Sequence, residues 1–260
     1  MIYYKTRDEI ESIRQSSLLV SKALAESAKH IRPGVTTLEL DKIVDEFIRD
    51  HSGIPAFLGY RGFPNSACIS VNEVVVHGIP GKQPLNEGDI VTMDVGVVMN
   101  GYYGDSAYTF AVGEISDEKK RLIKITKESL ELGVQQARSG KRIGDIASAI
   151  QEYVEKNGYS VVRELVGHGV GKKLHEDPEV PNYGKKGVGP KLMEGLVIAI
   201  EPMVNMGKKA VVQANDGWTI FAEDLKPSAH FEHTVAITKN GPERLTTFEF
   251  IDEVVYGTVV

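Results

Sequence analysis

Four acidic residues, Asp94, Asp105, Glu201 and Glu232, stand at the ends or heads of apolar, strand-like runs. One aspartate at a strand end is ordinarily a turn former. Four, in two pairs with matching surroundings, ask for another explanation. Brought together bare, they would repel one another and some would have to take up protons. Divalent cations remove the conflict, since two doubly charged ions balance four carboxylates. Carboxylate oxygens with one imidazole suit Mn, Fe, Co or Zn. His168, between Gly167 and Gly169 in what reads as a flexible turn, is the natural imidazole.

The elements that must position these groups form an internal repeat. The segment from Gly34 to Ile48 lines up with that from Gly140 to Val154, at an offset of 106 residues. Both copies carry apolar residues on one helical face, at Leu40/Ile146, Val44/Ile150, Phe47/Tyr153 and Ile48/Val154. Further on, Glu87–Asp94 matches Glu194–Glu201, displaced by 107 residues. Each is a turn followed by an apolar run that ends in an acid. Each half also has a His-Gly-aliphatic step, His77-Gly78-Ile79 and His168-Gly169-Val170, and an acid heading a second β-like stretch, Asp105 and Glu232. The pattern predicts two pseudo-twofold-related α/β half-domains, about 34–113 and 140–241, with the active site where they meet. Ahead of them Thr6 and Glu9 form a capping box for a helix. Its apolar face is Ile10, Ile13, Ser17, Val20, Leu24, Ala28 and Ile31, with Pro33-Gly34 as the stop. The stretch 182–190, rich in Gly and Lys, reads as a solvated surface loop.

Composition bounds the rest. The chain has 260 residues, 42% hydrophobic and 25% charged, which is too apolar for disorder. A net charge of −6 argues against wrapping nucleic acid. No apolar run is long enough to span a bilayer, and the first residues lack the basic-then-apolar order of a secretory signal. Cys68, the sole cysteine, can form neither an intrachain disulfide nor a cysteine-based zinc site. The expectation is a single cytoplasmic globular domain covering 1–260.

Six ordered motifs resemble those of the type I methionine aminopeptidases of peptidase family M24. Asn72-Glu73-Val74-Val75-Val76-His77-Gly78-Ile79-Pro80 resembles the family's first histidine segment. Met93-Asp94-Val95-Gly96 and Gly104-Asp105-Ser106 resemble its two aspartate ligands, and Gly167-His168-Gly169-Val170-Gly171 its histidine ligand, with Leu174-His175-Glu176-Asp177-Pro178 just beyond. Ile200-Glu201-Pro202-Met203 and Glu232-His233-Thr234 resemble its two glutamate ligands.

The resemblance implies the α+β pita-bread fold, with antiparallel sheet, flanking helices and two divalent ions per chain (Co, Mn, Fe or Zn). One ion would take His168 and Glu201 and the other Asp94, with Asp105 and Glu232 bridging. A water made acidic between the ions is the implied nucleophile, with Glu201 handling its proton. His77 and His175 are the implied contacts to substrate and tetrahedral intermediate. Tyr60, Phe63, Cys68 and Trp218 fall on the family's side-chain pocket, an apolar set suited to methionine. Cys68 serves equally well as a small buried residue.

Arg61 stands where a histidine is expected, and Phe57 where some members carry a smaller residue, so the pocket rim departs from the family pattern. The resemblance further implies a monovalent-cation site at backbone oxygens of Asn72, Val74 and Ser228. It gives the N-terminal methionine of nascent chains as substrate, when the second residue is small, and a monomeric enzyme. Transient ribosome contact is compatible with that role. Proline-specific relatives carry an extra N-terminal domain, and the type II enzymes an insertion in the second half. A partner-binding pseudoenzyme would have lost ligands, and all five are present.

Overall fold

The structure, a computed structural model, describes residues 1–257, so the last three residues of the expected domain lie outside it. Helix α1 (Arg7–Ala28) opens with the expected capping box. Thr6 accepts from the Glu9 N–H, and the Glu9 carboxylate accepts from the Thr6 N–H at 2.9 Å. The helix stops at Ala28, short of Ile31, and its last backbone groups are closed by the Lys29 and His30 N–H groups.

The first half continues with α2 (Thr37–Asp50), β1 (Ile54–Pro55), β2 (Ala67–Val71), β3 (Val74–Val76), β4 (Ile90–Met99) and β5 (Tyr102–Ala111). Two helices follow, α3 (Asp117–Gln136) and α4 (Ile143–Lys156), and then a run of short strands. These are β6 (Ser160–Val161), β7 (Gly167–Gly169), β8 (Glu176–Val180), β9 (Val197–Ile200) and β10 (Met203–Asn205). The chain goes on through β11 (Val211–Gln213), β12 (Ile220–Ala222), β13 (Ser228–His230), β14 (His233–Thr238) and β15 (Gly241–Arg244), and α5 (Glu249–Tyr256) ends the described chain.

All strand pairs are antiparallel. The long β4–β5 hairpin is extended by β2 and β1, and a five-stranded sheet runs β15-β14-β9-β7-β8. Two three-stranded sheets, β13-β10-β6 and β11-β12-β3, complete the set. This is the expected α+β architecture of antiparallel sheet and flanking helices.

The sequence repeat has backbone counterparts. Gly34 donates to the Leu85 carbonyl and Gly140 to that of Leu192, at 2.8 and 3.0 Å. Leu85 and Leu192 return bonds to Val35 and Lys141, both at 2.7 Å. Gly34 and Gly140 share a φ near +90°, as do Gly88 and Gly195, where side-chain residues would be strained. One apolar core nevertheless serves both halves. Fully buried Leu24, Leu40, Ile90 and Met93 belong to the same cluster as Leu130, Ile146, Ile150 and Phe231. Sharing one core couples the halves, since neither can expose its face to water without loss.

Candidate metal centre

The acids arrive from both halves. Asp94 and Asp105 lie inside β4 and β5, not at strand ends as their sequence context suggests. In the ladder Asp94 pairs with Ala107, while Asp105 pairs with Gly96, so the two carboxylates are diagonal neighbours on one face. In the other half Ile200 pairs with His233, and the next step outward holds Glu201 and Glu232.

A seam joins the pairs. Glu232 N–H donates to the Ala107 carbonyl at 2.9 Å, and Ser106 Oγ to the Glu232 carbonyl at 2.7 Å. Thr234 Oγ1 donates to the Asp105 carbonyl at 2.7 Å. These bonds join β5 to the chain leading into β14, and the acids of the two halves meet there.

His168 sits in β7, correcting the expected flexible turn. A Cβ on Gly167 would stand 2.4 Å from the Ala199 carbonyl oxygen, and one on Gly169 2.3 Å from that of Asp177. The flanking glycines therefore let neighbouring chain press against β7, and they hold the ring still. His168 is only 8% exposed. Its Nδ1 lies 3.0 Å from the Gly169 carbonyl, a bond in which the ring must donate. That turns Nε2 toward the acids, 3.6 Å from Glu201 Oε1 and 3.8 Å from Asp105 Oδ2. An imidazole fixed in this way is oriented as a ligand.

Ligand atoms of Asp105, His168 and Glu232 all lie within 4.8 Å of one another. All four acids line one cavity, Asp105 and Glu232 buried and Asp94 and Glu201 partly so. Burial pushes Asp94 and Glu201 up to about 7. Asp105 and Glu232 are raised well above the carboxylate range, first by burial and then by their acidic neighbours. Asp94 Oδ1, Asp105 Oδ1 and Glu232 Oε1 are buried with no hydrogen-bond partner. Hard oxygens without donors, in a cluster that resists its own charge, fit divalent cations.

Above them opens a cavity of about 150 Å³. Tyr60, Phe63, Cys68 and Trp218 line it as expected, together with Phe57 and Leu174. Phe63 meets Trp218 edge to face at 5.2 Å between ring centres. The Cys68 thiol is buried, and burial, then the fields of Asp94 and Asp105, hold it well above the usual thiol range.

His77 and His175 stand in the same wall. Burial lowers His77 to about 4, and partial burial with nearby His168 and Arg61 lowers His175 to about 3, so both rings are neutral at pH 7. The Tyr60 hydroxyl lies 2.8 Å from His175 Nδ1. His77 has a positive φ of 57°, and beside it Gly78 lies so close to β2 that a Cβ there would stand 2.2 Å from the Ile69 carbonyl oxygen.

Three neighbours were not anticipated from sequence. Leu174 closes the cavity. Asn182, assigned to a solvated loop, is buried and donates to the Glu201 carbonyl at 2.9 Å. His230 lies 1% exposed with Nε2 3.4 Å from Glu201 Oε2. Its spacing of two residues from Glu232 was the available signal, since alternate residues of an extended chain share a side.

Buried carboxylates around one oriented imidazole, beneath an apolar cavity walled by two neutral histidines, define a metal-dependent hydrolase. The chain belongs to metallopeptidase family M24, whose sequence pattern covers residues 11–239. It is 53% identical over 246 residues to a methionine aminopeptidase of Clostridium perfringens, covering 95% of this chain and 99% of that one. A solved methionine aminopeptidase from Thermotoga maritima superposes with a TM-score of 0.94 at 47% identity, over 95% of this chain and all of that one. The prolidase from Pyrococcus horikoshii is more distant. It has a TM-score of 0.75 at 25% identity, and the match covers 95% of this chain but 64% of the prolidase.

Proposed function

We propose that this protein removes an N-terminal methionine from polypeptides whose second residue is small, by metal-assisted hydrolysis of the first peptide bond. The juxtaposition of the acid cluster with the apolar cavity carries this proposal, since cavity and chemistry meet at one point. The near-full-length likeness to methionine aminopeptidases supports it. Asp94, Asp105, His168, Glu201 and Glu232 would hold two divalent ions, drawn from Co, Mn, Fe or Zn. When bound, such ions supply Lewis-acid chemistry, acidifying water and polarising a carbonyl.

The chain's own groups do the rest. Tyr60, Phe63, Cys68 and Trp218 take the unbranched thioether side chain. Tyr60 donating to His175 Nδ1 would leave Nε2–H free to donate to the substrate carbonyl as charge grows there. Neutral His77 offers a second donor. Glu201 can hold and return a proton at Oε2, with Oε1 turned toward His168 and the ion.

The two halves act as one catalytic domain related by a pseudo-twofold. The Ser228 N–H donates to the Asn72 carbonyl at 2.8 Å, so the segments whose backbone oxygens, with that of Val74, would hold a monovalent cation do meet. No helix among the described residues is long and apolar enough to cross a membrane. A cytoplasmic monomer meeting nascent chains, with transient ribosome contact, is the setting that suits such a substrate.

The test is competition among peptides in the presence of Mn²⁺. Met-Ala-Ser should lose methionine readily. Rapid cleavage of Met-Lys or Met-Phe peptides, or of Xaa-Pro peptides lacking methionine, would overturn the assignment.

A further inference from the structure

His230 belongs neither to the proposed ligand set nor to the histidines that wall the cavity. Its place is nonetheless tightly fixed. Its N–H donates to Thr109 Oγ1 at 3.0 Å, and its carbonyl accepts from the same hydroxyl at 2.8 Å. Thr92 lies 2.7 Å from that hydroxyl, whose own proton is committed to His230, so Thr92 donates. On its other side His230 pairs with Met203, two residues beyond Glu201. The clamp sets the ring beside the Glu201 carboxylate, with Nε2 at 3.4 Å from Oε2. The approach is too skewed for a hydrogen bond, and both ring nitrogens are buried without a partner. A polar ring held so firmly in a dry place needs an acceptor, and Glu201 Oε2 is the one beside it.

We infer that His230 is a positioning residue for the metal centre, its Nε2–H holding Oε2 of Glu201 and leaving Oε1, which faces His168 at 3.6 Å, for the ion. This rests on Glu201 being a ligand. With the ion in place, a carboxylate gripped at one oxygen by a neutral donor keeps its charge and loses its rotational freedom. Such outer partners typically contribute 10–100-fold in metal affinity.

The test is titration of metal-free protein with Mn²⁺ alone, comparing wild type with His230→Leu, His230→Gln and Glu201→Gln. His230→Leu should loosen the ion held by His168 and Glu201 by about 10–100-fold. Its metal-free melting temperature should not fall below wild type, because an apolar side chain replaces an unpartnered polar ring. His230→Gln keeps an N–H donor of similar reach and should stay close to wild-type affinity. Wild-type affinity in His230→Leu, or equal weakening in His230→Gln, would overturn the proposal. Unchanged affinity in Glu201→Gln would instead overturn the ligand assignment beneath it. Histidine-labelled NMR of the wild-type protein decides even if a variant does not fold. His230 should carry its proton on Nε2 with Zn²⁺ bound, whereas an Nδ1–H tautomer, or a metal-bonded Nε2, would contradict the assignment.

Discussion

Adding metal to the metal-free protein should expel protons, and their number should fall steeply with pH. Asp94 and Glu201 are each raised to about 7, by burial above all. A group with a pKa of 7 is ~90% protonated at pH 6 and ~10% at pH 8, so this pair gives up roughly two protons at pH 6 and close to none at pH 8. Asp105 and Glu232, raised further by the same burial, add to the count and hold theirs to higher pH. The four share one site, so the count belongs to the cluster and not to single residues.

The sign follows from linkage. Carboxyl groups with raised folded pKa values favour the metal-free fold at low pH, and that contribution is lost as pH rises from the unfolded value to the folded one. Metal uptake requires the opposite, charged form. With roughly two protons displaced from this pair alone, affinity should rise at least about 100-fold per pH unit below pH 6, and it should go on rising above pH 8 while Asp105 and Glu232 still give up theirs. Calorimetric Mn²⁺ titrations in two buffers of different ionisation enthalpy report the proton count directly. Stoichiometric uptake at pH 6 with no proton release would refute the argument, since the acids would then already be charged without an ion.

Four further outcomes follow from the same geometry. His175→Ala should lower kcat by ~10²–10³ while metal content stays unchanged, as expected of an oxyanion donor. Tyr60→Phe, which removes the partner of Nδ1, should cost ~1 kcal/mol or roughly fivefold in kcat. Metal analysis beside steady-state rates checks both, and loss of metal from His175→Ala would make that residue a ligand. Cys68 should resist thiol reagents in the native protein and react once the protein is unfolded in urea, because burial disfavours its thiolate. Fast native labelling would contradict the packed pocket wall. Gly78→Ala should destabilise by about 3 kcal/mol, since its Cβ would meet backbone at 2.2 Å and backbone cannot rotate away. An unchanged urea midpoint would show that this close approach is not needed.

The sequence by itself determined the parts that depend on local order. The capping box at Thr6 and Glu9, the repeat at offsets of 106 and 107 residues, and the candidate acids are patterns of residue type and spacing. Motifs in fixed order carry the family because each is contiguous. The tertiary structure decided what spacing cannot encode. Asp94 and Asp105 lie within strands because pairing between β4 and β5, not the polarity of an acid, sets where those strands end. His168 is held in a strand because backbone from β8 and β9 presses on its two glycines, a contact made by residues far along the chain. Asn182 looks solvated among its polar neighbours, yet the fold brings it to the Glu201 carbonyl. His230 carries no motif, and it gains its meaning only when Thr109, from the other half, clamps it beside Glu201. Burial follows the same rule. It raises the acids and keeps the histidines neutral through desolvation, which is a property of the assembled site and not of any segment.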